Sequence, residues 1–377
     1  MDDEKDGFDV LENVKKHIEA LKSLLPKQAL VCIGEYPIKI LLKEPYVNNT
    51  DEILPILIGK SRDEILKWIP KGFDPNLVLG FEDANIDTHF WYDVLPFISQ
   101  NEALIKSLKG KPIEKLNSAM IVASVWDGIG SASLPTVISK LKASNINSLS
   151  LAILPSKIQL TDAYFNSLAS LGMCASSDAA TLVLLDRDLL ENYEGVDRNG
   201  SLIKGSMVAN YLVNLLLAKE TLVQEISELS RTFNVKMYSV LLAPGASLKI
   251  YGSIENMLNA ALIRPFFTFD LSSASLLYVL IRMPFHLKEK LPRGAIELAI
   301  ANWSKDKAAL ESIYVTDLIY VEDSSDRIDV AMFVGGFETA TIFAALEKKL
   351  TRMKNQAFKK GSITEEKWQA IVKSLME

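Results

Sequence analysis

Reactive and metal-binding residues are scarce in this chain of 377 residues, which has two cysteines, Cys32 and Cys174, and three histidines, His17, His89 and His286. None of them falls at metal-ligand spacing, so no metal site is expected. There is no Gly-x-Ser-x-Gly elbow and no His paired with an acid in the pattern, so a nucleophilic hydrolase finds no candidate residues. So few cysteines fit a reducing compartment. No apolar run reaches the roughly 18–20 residues of a membrane helix; "SSASLLYVLIRMPF" comes nearest, and Arg282 and Pro284 interrupt it. Internal repeats, low-complexity tracts and a Lys/Arg stripe are missing too. With a net charge of -6, nucleic acid is not an expected partner. The opening residues, "MDDEKDGFDV", are acidic, the reverse of a secretory n-region. These absences predict a cytoplasmic protein without a transmembrane segment.

What is present is an ordinary globular composition, 49% hydrophobic and 23% charged. At about 100–200 residues per domain, the length suggests two domains. Residues 8–25 repeat apolar positions at helical steps and predict an amphipathic helix. "ALVCI", "PNLVLGFE", "SAMIVASVW", "SLSLAILPS" and "ATLVLLDRDLL" read as buried strands, with helical patterns between them. Strands apolar on both faces, alternating with helices, imply an α/β layer with a mostly parallel sheet. Residues 201–231 then form one continuous helical pattern, which would span roughly 45 Å. Strand-like runs dominate afterwards, and the last two suggest a hairpin through "DSSD" at 323–326. The tail predicts two helices split at Gly361, the second capped by Ser362 or Thr364. Its apolar stripe of Trp368, Ile371, Val372 and Leu375 is of the kind that packs on its own domain. "TDAYFNSLASLGMCA" predicts a helix with Thr161 or Asp162 as N-cap.

The loop "VWDGIGSAS", residues 125–133, lies between a strand and a helix. In parallel sheets ligands sit outside the carboxyl ends of the strands, which is where this loop belongs. Taken alone, it is a strand-to-helix turn with Ser131 or Ser133 as cap.

Four segments in order resemble the tubulin/FtsZ superfamily across about residues 28–338. "WDGIGSASLP" resembles the family's glycine-rich signature G-G-G-T-G-[TS]-G and its following proline, with Gly128, Gly130, Ser131 and Pro135 in register. The stretch from Pro155 to Asp186 is similar to the tubulin run from P-S-P-K to I-D-N-E-A-L. "NGSLIKGSMVANYLV" looks like the start of the core helix of FtsZ, and "SSDRIDVAMFVGGFE" like its last strand. The resemblance implies an α/β, tubulin/FtsZ-like fold: a mostly parallel sheet in a nucleotide-type domain, joined by a long central helix to a smaller α+β domain. The corresponding divisions are 1–27, 28–200, 201–232, 233–340 and 341–377.

The same resemblance implies GTP or GDP as cofactor, with Mg²⁺ only alongside nucleotide. Gly34, Gly128, Gly130 and Ser131 would then face the phosphates, Asp162 the ribose and Asn210 the guanine edge. Several substitutions oppose this. Glycine-rich loops bring backbone N–H groups onto an anion at a helix N-terminus. Here Trp126 and Asp127 replace glycines, Glu35 follows Gly34, and Pro37 lacks an N–H. A carboxylate about 4 Å from a phosphate costs roughly 4 kcal/mol at an effective dielectric near 20. The loop whose two acids position water in the family reads "FNVKMYSV", with Lys236 and Ser239 in those places. A lysine is a poor base for that water. No catalytic residue is therefore expected. The implied function is assembly or scaffolding of cytoskeletal or cell-division type, by self-association or with an FtsZ/tubulin-type relative, and with weak or absent GTP hydrolysis. A working GTP-binding polymerase and a non-polymerising adaptor remain alternatives. The direction of the Trp126 and Asp127 side chains decides between them.

Overall fold

The computed structural model describes residues 28–41, 53–70, 73–81, 86–100, 116–178, 180–305, 307 and 310–376. The helix expected at residues 8–25 lies outside them. Apolar runs form the parallel strands β1 (Gln28–Ile33), β2 (Ile53–Ile58), β3 (Val78–Leu79), β4 (Ser118–Ser124), β5 (Asn147–Leu154) and β6 (Leu182–Asp186). Every residue of β1 and β4 is buried, because helices cover both faces. One face carries α3 (Trp91–Gln100), α4 (Gly128–Ala143) and α5 (Thr161–Ala175). The other carries α1 (Glu35–Leu41) and α2 (Arg62–Trp68). The short α6 (Arg187–Glu191) and a two-stranded ribbon, β7 (Glu194–Val196) with β8 (Leu202–Lys204), follow β6.

The connecting stretch is helical but not one helix. β8 takes its first residues, Gly205 turns the chain at φ +55°, and α7 (Met207–Leu217) and α8 (Leu222–Thr232) follow with a break at 218–221. No glycine or proline marks that break. Tertiary polar bonds do. Glu225 accepts from Thr221 Oγ1 at 2.7 Å and Lys219 Nζ at 3.2 Å on its own segment. It also accepts from Tyr278 at 3.0 Å and Thr316 at 3.1 Å on the sheet. These bonds, with Leu222, Val223 and Ile226 buried on the sheet, hold α8 against the sheet.

β9 (Met237–Ser247) is buried along its whole length. It pairs parallel with β6 and antiparallel with β13 (Arg327–Gly335). β10 (Leu276–Pro284) lies antiparallel to β13, and β11 (Ser312–Val315) and β12 (Ile319–Val321) pair parallel with β10. The described strands thus form one sheet, β11-β10-β13-β9-β6-β5-β4-β1-β2-β3, with β12 beside β11 on the β10 edge. The expected hairpin through residues 323–326 does not form. β13 is buried from Ile328 to Gly335 and takes an interior place, whereas β11 and β12 are half-exposed and take the edge. α9 (Leu248–Tyr251), α10 (Ile254–Leu262) and α11 (Arg293–Lys305) complete this half. Where β9 and β13 shift register, buried Asp329 accepts from Gly245 N at 2.8 Å and Tyr211 Oη at 2.6 Å. Its other oxygen meets Arg282 Nε at 2.7 Å.

The tail forms α12 (Ala340–Lys349), α13 (Thr351–Lys359) and α14 (Glu365–Met376). A turn at Leu350 therefore adds a break to the one expected at Gly361. Thr364 caps α14, accepting from Lys367 N at 3.2 Å. Trp368, Ile371, Val372 and Leu375 are buried, and Trp368 stacks on Phe165 of α5 with ring centroids 4.8 Å apart. The stripe packs on its own chain. For the Asp329 hub the expected outcome is clear. Asp329→Ala strands a buried guanidinium and lowers stability in urea unfolding by about 3–5 kcal/mol; a loss within experimental error would show the hub to be dispensable.

Candidate functional site

The carboxyl ends of the parallel strands open onto a cavity of about 840 Å³. Gly34 begins its wall. Its φ of +92° suits glycine, its N–H donates to Ile58 O at 2.8 Å, and a Cβ would lie 2.1 Å from Ser124 Oγ. Glu35 opens α1 and pairs with Lys39 at 3.3 Å. Pro37 sits in the first turn of α1, where its missing N–H is least costly. Trp126 lines the cavity as part of a cluster. Its ring meets Tyr36 edge-on at 5.4 Å, and the Arg187 guanidinium lies 4.7 Å from the Tyr36 ring and 5.2 Å from the Trp126 ring. Glu191 holds Arg187 at 2.7 Å. Burial, and next the Glu191 charge, push the Tyr36 phenol well above its usual range.

Asp127 turns towards its own helix. The expected caps, Ser131 and Ser133, are displaced, because Asp127 is the N-cap of α4 and accepts from Gly130 N at 2.7 Å. Gly128 N donates to Thr88 O at 3.1 Å and Ser131 N to Asp127 O at 3.0 Å. At this end of the helix, the usual anion-binding end, the N–H groups of Gly128, Gly130 and Ser131 are engaged within the chain. Ser131 Oγ bonds back to Asp127 O. The buried Ser133 hydroxyl has no partner among the described residues. The glycines serve close packing of the chain on itself: a Cβ on Gly128 would lie 2.4 Å from Thr88 O, and one on Gly130 1.7 Å from Ser124 O.

Asp162 lines the cavity but is not a cap. The cap position of α5 is Leu160, with no side-chain hydrogen bond. Asp162 lies in the first turn, where the helix dipole favours an acid, and meets His89 Nε2 at 2.6 Å. That pair escaped sequence reasoning, since 73 positions separate residues 89 and 162. Asn166 was missed as well. It donates to His89 O at 2.8 Å and Trp126 O at 3.1 Å and accepts from Trp91 N at 3.1 Å, tying two cavity loops to α5. An amide in mid-helix was the available signal.

The remaining candidates lie elsewhere. Gly128, Gly130 and Ser131 are buried behind the wall. Asn210 is buried on α7 and donates to Ile40 O at 3.1 Å, outside the cavity lining. Lys236 Nζ donates to Ala175 O at 2.6 Å, a cation at a helix C-terminus. Ser239 is buried in β9 and donates to Phe267 O at 2.9 Å. Neither of the two residues is placed to act on a ligand in the cavity.

Burial, then the nearby Glu35 carboxylate, raise the Asp127 pKa to about 6. The folded value exceeds the unfolded value of about 3.9, so the folded chain holds the proton more tightly and loses stability as pH rises from about 4 through 6. Asp127→Asn keeps a cap and removes this loss. Urea unfolding should find the variant about 1–2 kcal/mol more stable than the parent at pH 7.5, with the difference shrinking towards pH 4. A pH-independent difference would count against this role for the carboxylate.

No family model matches the chain, and no curated protein matches its sequence. Solved structures do match. CetZ from Methanosaeta thermophila strain DSM 6194 superposes with a TM-score of 0.66 at 15% identity, over 92% of this chain and 96% of that one. The GTPγS-bound protofilament of CetZ2 from Haloferax volcanii gives 0.65 at 16% identity, over 88% and 99%. The empty FtsZ dimer of M. jannaschii gives 0.59 at 14% identity, over 86% and 92%. A mostly parallel sheet between two helical layers, with antiparallel strands continuing it, is what these proteins share with this one: the chain has the tubulin/FtsZ fold.

Proposed function

We propose that this protein is a cytoplasmic, tubulin/FtsZ-type cytoskeletal protein that works by assembly, with itself or with a related subunit, and that it turns GTP over weakly or not at all. The fold supports the first part, since a protofilament and a dimer are among the structures it resembles. No described helix is long and apolar enough to cross a membrane. The observation that carries the second part is the donor set of α4: the N–H groups of Gly128, Gly130 and Ser131 are engaged by Thr88 and Asp127. A triphosphate needs those donors. It would also face Glu35, Asp87, Asp127 and Asp162 on the cavity wall. Of the facing cations, Lys39 is paired with Glu35 and Arg187 with Glu191, which leaves Lys60 as the one lysine or arginine of the wall without an ion pair among the described residues. The residues present do not fit a triphosphate. Lys236 and Ser239, where the resemblance places two acids, are bonded inside the chain.

A head-to-tail contact between identical subunits does not close, and so builds filaments. A second reading, a GTP-binding polymerase, draws on the cavity, whose 840 Å³ is within the usual range for ligand sites, about 300–1,000 Å³. Two measurements on the purified protein separate these readings. Phosphate release from GTP with Mg²⁺ should stay at the buffer blank, and sedimentation across a concentration series should show assembly that is the same with and without GTP. Robust protein-dependent turnover, or assembly that requires GTP, would establish the second reading instead. A monomer at every concentration would leave an adaptor.

A further inference from the structure

A second cavity, of about 530 Å³, lies between α5 and α12. Leu168 and Leu171 form one side, Phe343 and Leu346 the other, and Phe267 lies beneath. Its volume is again in the range of ligand sites, but its chemistry is unlike that of the first cavity. Several polar groups in its walls are bonded within the chain, while the exposed Thr161 hydroxyl stands at its rim. Tyr164 Oη donates to Ser156 O at 3.1 Å, and Ser167 Oγ to Val125 O at 2.7 Å. Asp186 caps α6, accepting from Asp188 N at 2.8 Å and Leu189 N at 3.3 Å. What remains for a ligand is an aliphatic and aromatic slot edged by two exposed lysines, Lys157 and Lys349. Neither ammonium has a carboxylate within ion-pair distance among the described residues. Asp186 is the one acid among the lining residues, and one oxygen of its carboxylate caps α6; Asp188, just outside the lining, lies close enough to Lys157 to feel its charge.

An apolar slot with cations at its edge selects an amphipathic anion. The slot removes the chain from water, and the lysines supply charge-assisted hydrogen bonds to the head. A neutral chain loses the second contribution, and a cationic one is repelled. We propose that this cavity binds a single-chain aliphatic carboxylate, with its chain between α5 and α12 and its carboxylate at Lys157 and Lys349. Binding there would couple the C-terminal helices to the parallel half of the sheet and stabilise both by mass action.

Titration calorimetry of the full-length protein with dodecanoate below its micellar concentration tests this. Saturable one-to-one binding is expected, with a higher melting temperature in the presence of ligand. Dodecanol should bind at least tenfold more weakly, and dodecyltrimethylammonium should not bind. The double variant Lys157→Glu/Lys349→Glu changes two exposed side chains and should weaken dodecanoate at least tenfold while leaving the melting of the free protein unchanged. Leu346→Trp should fill the slot and abolish binding; if that variant fails to fold, the lysine pair still decides. Absence of saturable heat, equal binding of the trimethylammonium compound, or affinity unchanged in the double variant would each overturn the proposal.

Discussion

Strand β9 is the constraint on which the rest of the structure depends. All of its residues from Met237 to Ser247 are buried. It joins a parallel neighbour, β6, to an antiparallel one, β13, so what reads as two halves in the chain is one continuous sheet. A strand in that place must satisfy its backbone on both edges and its side chains on both faces. Two acids secure its surroundings. Asp329 holds the irregular register between β9 and β13 and ties it to α7 through Tyr211 and to β10 through Arg282. Glu225 does the same for α8 and β10 through Tyr278. A buried carboxylate is tolerable only when bonded; Asp329 is fully buried and bonded through both oxygens, and the half-buried Glu225 is bonded through both as well.

The loop after β4 shows how one residue can change the character of a site. A helix N-terminus at the carboxyl end of a parallel sheet is an anion site by default. Asp127 supplies the anion from within the chain. Its carboxylate takes the Gly130 N–H at the start of the helix. Trp126 does not plug the cavity. It stands in the wall with Tyr36 beneath Arg187, which leaves space but removes a cation from service. The two cavities therefore differ in kind: one is wide and lined with opposing charges, and the other is apolar with cations at its edge.

Much of the architecture was legible in the chain. The buried strands, the alternation with helices and the tubulin/FtsZ likeness followed from apolar runs and from Gly128, Gly130 and Pro135 in register. The apolar stripe of the last helix was also readable, because helical periodicity is a local property. The bend at 218–221 was not. It has no glycine or proline, and its partners Tyr278, Thr316 and Asp317 lie far along the chain. The place of β13 was hidden for a related reason: adjacency in sequence favours a hairpin, whereas burial on both faces requires an interior position.

The site divides in the same way. Sequence alone determined which residue types stand at the loops: the acids at 35 and 127, the missing N–H at Pro37, and the lysine and serine at 236 and 239. These are covalent facts. Only the tertiary structure decided where each group is directed. It turned Asp127 onto the N–H groups of its own helix, set His89 against Asp162, and withdrew Asn210 to the end of α1. Those outcomes depend on which backbone donors and acceptors the packed helices leave unsatisfied, and that is settled between segments remote in sequence rather than within any one of them.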